Sequence, residues 1–162
     1  NVNTMKTLDY ISLDKKRIVP VVDELQKFLA DLQVFYTNLR GLHWNVTGRQ
    51  FFQLHEKFEE IYDDINEKAD EIAERLLMLG GTPVNNYSEY LKTARVKEVS
   101  NVTDGEKGVE LILETYKTLM DSERSIIKLA GEAEDEVTVA LLTDYLKEQE
   151  KLTWMLVALL TR

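Results

Sequence analysis

Cysteine is absent from this chain of 162 residues, and histidine occurs only twice. The absence of cysteine excludes a disulfide framework, a thiolate metal site and a cysteine nucleophile. It fits a reducing compartment, and we expect the protein to be cytoplasmic. No apolar run approaches the roughly 18 residues that cross a membrane, and the N-terminus has no signal-peptide pattern. We expect Met5 to be the natural first residue.

Basic residues are also scarce, since 20 Lys and Arg stand against 29 Asp and Glu, for a net charge of −9. Such a chain is poorly suited to holding the phosphate backbone of DNA over its whole surface. The first twenty residues have a slight basic excess and no polybasic arm: Lys6, Lys15, Lys16 and Arg17 stand against Asp9 and Asp14. We therefore expect DNA binding to be absent or conditional.

Two long amphipathic helices are predicted in the first half of the chain, where no stretch alternates as a β-strand. Apolar residues of the first helix recur at three- and four-residue steps up to Leu39, and the next step is His43. The second helix is predicted from about Phe51 to Leu79, with His55 at the edge of its apolar stripe. Gly80, soon followed by proline, ends it.

The second half begins with a long connection, Thr82 to Thr103, that contains a short helical candidate from Ser88 to Ala94. A third helix is predicted from about Asp104 and has Glu123 at one position of its apolar stripe. A fourth is predicted from about Glu134. Its apolar stripe consists of Val137, Leu141, Tyr145, Leu152, Met155 and Leu159.

Four amphipathic helices joined by one long crossover predict an all-α protein. The fold class is a ferritin-like antiparallel four-helix bundle, with a short helix in the crossover between helices two and three. We expect one domain over residues 1–162, in which residues 1–13 form a flexible N-terminal segment.

The candidate metal ligands are His43, His55, Asp70 and Glu74, because imidazoles and carboxylates suit iron, manganese or zinc. His55 and Asp70 are fifteen residues apart on one predicted helix, which separates them by roughly 22 Å along its axis. One chain therefore cannot wrap all four residues around a single ion. Either the carboxylates are ordinary surface charge, or the histidines of one subunit meet the carboxylates of another.

A metal site inside one bundle is disfavoured, because such sites use Glu-x-x-His pairs and this chain has none. Arg40 and Phe52 stand three positions before His43 and His55. A purely structural helical oligomer is a further interpretation. In it, the histidines would be hydrogen-bonded core residues and the carboxylates part of a solvated face.

Three spaced motifs surround the four candidate ligands. They are Leu42-His43-Trp44-Asn45-Val46-Thr47-Gly48, Phe52-Gln53-Leu54-His55-Glu56, and Asp70-Glu71-Ile72-Ala73-Glu74-Arg75 leading into Gly80-Gly81-Thr82-Pro83. The sequence resembles the Dps family of miniferritins, whose pattern is a His-Trp pair, a His twelve residues on, an Asp fifteen further and a Glu four later. The resemblance covers nearly the whole chain, including the crossover and Trp154.

The resemblance implies a two-iron ferroxidase centre between two-fold-related subunits of a homo-oligomer, a hollow dodecamer. His43 and His55 would come from one subunit, and Asp70 and Glu74 from its partner. Glu59 matches an acidic position of the family and would assist a second iron or orient His55. The implied activity is oxidation of Fe(II), preferably by hydrogen peroxide, with storage of ferric mineral and protection from oxidative stress. Zinc and manganese accept the same ligands.

Three further expectations remain open. The alternative function is a nucleoid-associated DNA-binding shell with a secondary metal site.

Acidic pores of the family suggest pore candidates, although an acidic first turn that complements the helix dipole explains most of them equally well. Trp44 and Trp154 are expected to pack in the core, with trapping of an oxidising equivalent as the other interpretation. The pore candidates are Glu134, Asp135, Glu136 and Asp144.

Overall fold

Five α-helices make up most of the computed structural model, which describes residues 5–162. The helices are α1 (Lys15–Asn45), α2 (Phe51–Met78), α3 (Tyr87–Thr93), α4 (Gly105–Glu132) and α5 (Glu136–Leu160). No β-strand occurs within residues 5–162, where one isolated bridge joins Thr47 to Asp104. The predicted all-α bundle, with a short helix in the crossover between its second and third long helices, is confirmed.

Short polar side chains fix the helix starts, as the local sequence requires. The carboxylate of Asp14 accepts the backbone N–H groups of the first turn of α1 at 2.9 and 3.1 Å. Asp104 accepts one from the first turn of α4 at 3.0 Å. These bonds satisfy donors that have no partner inside the helix. After the C-terminal end of α2, Gly80 has a φ of 84°. Glycine adopts this left-handed conformation without strain.

The crossover, residues 79–104, lies along α1 and is held there by three polar side chains. Gln26, Asp31 and Asn38 each bond to two backbone groups of the crossover, at distances from 2.6 to 3.1 Å. These side chains satisfy backbone groups that an irregular segment would otherwise leave unpaired. At the end of the crossover, the N–H of Thr47 donates to a backbone carbonyl at 2.9 Å. The crossover therefore carries the chain from one end of α1 to the other.

The core lies between the four long helices, and α5 faces it differently from the prediction. Val137, Met155 and Leu159 are 60%, 45% and 44% exposed, so their predicted burial is wrong. Thr138 and Gln149 are buried instead, because each has a polar partner inside the bundle. Hydropathy alone cannot assign such polar residues to the core. The other half of the predicted stripe is confirmed, since Tyr145 is buried and Leu141 and Leu152 pack against the core.

The predicted flexible segment, residues 1–13, is only partly described. Residues 1–4 lie outside the described range. The structure therefore does not test the expectation that Met5 is the natural first residue. A short 3-10 turn covers Thr7–Asp9, and Leu8 and Leu13 pack against the core. Between residues 5 and 162, no helix is both long and apolar enough to cross a membrane.

Candidate metal centre

The two histidines meet where α1 ends and α2 begins. Their rings are stacked, with centroids 3.8 Å apart and an interplanar angle of 12°. His43 Nδ1 lies 2.6 Å from the carbonyl oxygen of His55, and His55 Nδ1 lies 2.7 Å from that of His43. Because a carbonyl oxygen only accepts hydrogen bonds, both Nδ1 atoms carry the proton. An imidazole that carries its proton on Nδ1 keeps its lone pair on Nε2, where it can bind a metal ion.

Aromatic neighbours hold the imidazole pair in place. Phe51 stacks on His55 at 5.0 Å, and Tyr62 meets His43 edge-on at 5.4 Å. His43 is 8% exposed and His55 is half-buried. The turn between the helices contains Gly48 with φ of 103°, a conformation that favours glycine. The tight turn brings residues twelve positions apart into contact.

Glu59 joins this cluster through Tyr62. The Tyr62 hydroxyl donates to Glu59 Oε1 at 3.3 Å. Burial raises the pKa of Tyr62, and the carboxylate of Glu59 raises it further, so the phenol stays protonated and continues to donate. In the single chain, the carbonyl of His43 accepts the hydrogen bond from Nδ1 of His55, and the suggestion that Glu59 orients His55 stays a prediction. Its role as a ligand to a second iron stays a prediction.

The structure does not bring Asp70 and Glu74 to the imidazoles. Both carboxylates are exposed, and both lie farther along the continuous helix α2. Within residues 5–162, no three His, Asp or Glu side chains are grouped so that they could hold a metal ion. The single chain therefore presents two imidazole ligands at one place and two carboxylates at another, and the four-residue centre stays a prediction.

One of the pore candidates has a different role. Asp135 is 1% exposed and accepts a hydrogen bond from the guanidinium of Arg75 at 2.6 Å and from the backbone N–H of Thr138 at 3.1 Å. It therefore begins α5 and pairs with a buried cation. Glu136 and Asp144 are exposed, as is the remaining candidate, and they stay predictions.

The expected core packing of the two tryptophans is wrong for the single chain. Trp44 is 61% exposed and Trp154 is 66% exposed. The guanidinium carbon of Arg40 stands 4.7 Å from the centroid of a Trp44 ring, a cation–π contact at the surface. The sequence placed Trp44 directly after a buried histidine, and successive helical residues point about 100° apart.

Sequence reasoning missed a buried charge cluster away from the histidines. Lys68 is 3% exposed and Glu123 is fully buried. The apolar periodicity of the sequence could have indicated that both residues are buried. Lys68 stands in the gap between Ile65 and Ile72 of the apolar stripe of α2, and Glu123 occupies a position of the stripe of α4.

The chain is similar to proteins of known family. A sequence profile of the ferritin-like domain matches residues 22–162. The DNA protection during starvation protein of Porphyromonas gingivalis is 49% identical over 157 residues, which cover 97% of this chain and 99% of that protein. The fold superposes on the DPS protein of Vibrio cholerae O1, described as a member of a broad superfamily of ferritin-like diiron-carboxylate proteins. The TM-score is 0.93 and the identity 46%, covering 98% of this chain and 99% of that one.

A more distant structure has the same fold. Dps from Staphylococcus aureus is 35% identical and superposes with a TM-score of 0.84, covering 88% of this chain and 95% of that one. Because these matches span nearly the full length of each relative, they concern the whole bundle and its crossover.

Proposed function

Because the chain belongs to the Dps family of ferritin-like proteins, we propose that it oxidises Fe(II) at a centre shared by two subunits and stores the ferric product in a hollow shell. Family membership supports a role in iron storage and protection, and ferroxidase-type activity in general. The observation that carries the finer proposal is the reciprocal hydrogen bonding of His43 and His55, which leaves both Nε2 atoms available to a metal ion.

In the proposed centre, the Nε2 atoms of His43 and His55 bind the substrate Fe(II). Asp70 and Glu74 come from a second subunit and offset the positive charge that grows as iron is oxidised. This division, which the family resemblance implies, is supported by the separation of Asp70 and Glu74 from His55 along α2 and by the absence of a grouped site within residues 5–162. Glu59, linked to the pair through Tyr62, is the proposed ligand of a second iron.

Hydrogen peroxide is the proposed oxidant. Each of two Fe(II) ions gives one electron, the O–O bond breaks, and two protons are taken up to form two water molecules. Because both electrons come from one centre, no hydroxyl radical is released. Zinc or manganese would occupy the same ligands.

Assembly is part of the proposal, because the centre needs a second copy. Large apolar side chains on the surface of the single chain support a homo-oligomer, proposed to be a dodecamer. Trp44, Phe52, Tyr87 and Trp154 are 61% to 80% exposed. Burying such side chains against another subunit would gain roughly 1.5–3 kcal/mol for each one fully covered.

The Porphyromonas gingivalis relative carries DNA protection in its name. For this chain, we propose protection of DNA in the cytoplasm by removal of Fe(II) and peroxide, without binding of the duplex. The small basic excess near the N-terminus is partly neutralised, since Lys15 pairs with Asp9 at 2.6 Å. The carboxylate of Asp14 is engaged by the first turn of α1.

The test compares Fe(II) oxidation by the native protein and by a His43→Ala, His55→Ala variant under peroxide and without dioxygen. We expect the variant to oxidise Fe(II) at the rate of buffer and to retain no ferric mineral. Glu56→Ala, which changes an exposed residue beside His55, is the control and should keep the native rate. Equal rates in the native protein and the double variant would show that the imidazoles are not the centre.

A mixing experiment tests the division between subunits. The double histidine variant is unfolded and reassembled with an equal amount of an Asp70→Ala, Glu74→Ala variant. Random pairing makes about half of the dimers mixed, and each mixed dimer has one complete centre out of two. About a quarter of all centres are therefore complete. We expect about that fraction of native activity. Assembled mixtures that stay inactive would contradict the shared centre, while leaving the role of the histidines to the first test.

A further inference from the structure

One aromatic side chain of α2, Tyr62, packs against two positions of α1. Its ring meets the imidazole of His43 edge-on, with centroids 5.4 Å apart and an interplanar angle of 86°. The same ring meets Tyr36, which lies two helical turns before His43, at 5.6 Å and 86°. Edge-to-face pairs at such distances are favourable beyond the area that they bury. The ring of Tyr62 is therefore held against α1 on both sides of its contact.

The hydroxyl of Tyr62 reaches a different group. His55, Glu59 and Tyr62 follow one another at steps of four and three residues, so they share one face of α2. The hydroxyl donates to Glu59 Oε1 at 3.3 Å. Glu59 is exposed, and within residues 5–162 no other hydrogen bond or ion pair engages its carboxylate. A single hydroxyl thus restrains a carboxylate that would otherwise turn freely in solvent.

The length of this hydrogen bond leaves room for the carboxylate to move. Hydroxyl donors usually stand roughly 2.5–3.0 Å from their acceptor, whereas this bond measures 3.3 Å. Hydrogen bonds around a reaction centre often shorten when the centre binds its substrate. Because the phenol engages Oε1, the lone pairs of Oε2 stay available to a cation. A hydrogen bond of this kind fixes the direction in which a carboxylate presents its other oxygen.

We propose that Tyr62 is a positioning residue of the iron centre: its ring supports His43, a ligand of the first ion, and its hydroxyl directs Glu59 toward the second. This inference rests on the proposed function and deepens it. The ring and the hydroxyl belong to one rigid planar group, so the two ligands are held in a fixed relation to each other. Groups that orient metal ligands commonly account for 10- to 100-fold in metal affinity, roughly.

The experiment titrates Co(II), a probe that resists oxidation, into the assembled protein and follows the visible absorption of the bound ion. We expect the native protein to bind two Co(II) per centre. Tyr62→Phe keeps the ring and removes the hydroxyl. It should bind the first ion with native affinity and the second about 10- to 100-fold more weakly. Tyr62→Leu also removes the aromatic contact with His43 and should weaken both ions.

Tyr36→Phe is the matched control, because it removes a hydroxyl from the neighbouring ring and leaves the hydrogen bond to Glu59 in place. It should bind both ions as the native protein does. A second comparison starts from Glu59→Ala, which removes the acceptor. On that background, adding Tyr62→Phe should have no further effect on Co(II) binding, because the two residues act through one contact.

Two results would overturn the inference. One is equal affinity for the second ion in Tyr62→Phe and Tyr36→Phe, which would reduce Tyr62 to a packing residue. The other is a native protein that binds a single Co(II) per centre. Failure of the proposed function looks different: the His43→Ala, His55→Ala variant would then titrate as the native protein does, and no centre would exist for Tyr62 to support. If Tyr62→Leu does not assemble, Tyr62→Phe alone decides.

Discussion

Glu123 shows how a single carboxyl group responds to its place in the bundle. None of its surface is exposed, and burial raises its pKa to about 8 against the opposing charges of Lys68 and Arg124. In the unfolded chain, the pKa returns to about 4.5. Between these two values the folded state binds more protons than the unfolded state. Stability therefore falls as the pH rises from about 4.5 to about 8.

Replacement of Glu123 by Gln should remove this pH dependence, because the amide needs no proton to be buried. From pH 5 to pH 9, we expect the native protein to lose on the order of 4 kcal/mol more unfolding free energy than the Glu123→Gln variant. Chemical denaturation at pH 5, 7 and 9 measures the difference. Glu114→Gln, an exposed change on α4, should keep the native slope. An unchanged slope in the Glu123 variant would show that its carboxyl is not the titrating group.

Single residues could be predicted from sequence where their position depends on local periodicity. His43 continues the apolar stripe of the first helix in the sequence, and the structure confirms that it is buried. Its hydrogen bond to the carbonyl of His55 could not be predicted, because it depends on the path of the turn between α1 and α2. The burial of Lys68 is a further example, since its partner Glu148 is 80 positions away.

At the scale of helices, a buried network joins the end of α2 to the start of α5. Arg75 donates to Asp135 at 2.6 Å and to the hydroxyl of Thr138 at 3.0 Å, and that hydroxyl donates to the second oxygen of Asp135 at 2.5 Å. Asp135 also caps the first turn of α5. The same carboxylate thus fixes where α5 begins and where it lies against α2.

Asp135→Ala removes the cap and leaves the guanidinium of Arg75 buried without its carboxylate. We expect a loss of about 3 kcal/mol or more of unfolding free energy, since breaking a buried ion pair from one side strands the other charge. Glu136→Ala changes the next residue, which is exposed, and should cost no more than about 0.5 kcal/mol. Guanidinium denaturation of both variants measures the contrast. Equal, small losses would contradict the role of the network.

The existence and approximate bounds of the helices could be predicted because periodicity, caps and terminal glycines are local signals. The buried face of α5 could not, because Thr138 and Gln149 enter the core through partners on other helices. The path of the crossover was equally inaccessible. Gln26, Asp31 and Asn38 hold it through backbone groups, whose positions the sequence does not specify.

The whole molecule combines a net charge of −9 with a described N-terminal region that has few free basic groups. Counterion release by lysine and arginine supplies most non-specific affinity for DNA, and it weakens as salt rises. The proposed shell would multiply the acidic charge of each subunit. Electrostatic repulsion between the acidic protein and the DNA phosphates therefore opposes binding of a duplex.

We expect no retardation of linear duplex DNA in a gel-shift assay at 150 mM salt and neutral pH. A variant in which Asp9 and Asp14 are changed to Asn loses two negative charges per subunit and tests the sign of the effect. It should bind duplex more strongly at low salt than the native protein does. Tight binding of duplex by the native protein at 150 mM salt would instead support the DNA-binding shell.

The reciprocal hydrogen bonds between His43 and His55 span only twelve residues of chain. Contacts of such short sequence separation close early in folding, whereas the crossover must bridge 56 to 65 positions to reach α1. The imidazole pair needs nothing beyond the first helical hairpin. We therefore expect that a growing chain can form this imidazole pair while α4 and α5 are still being synthesised.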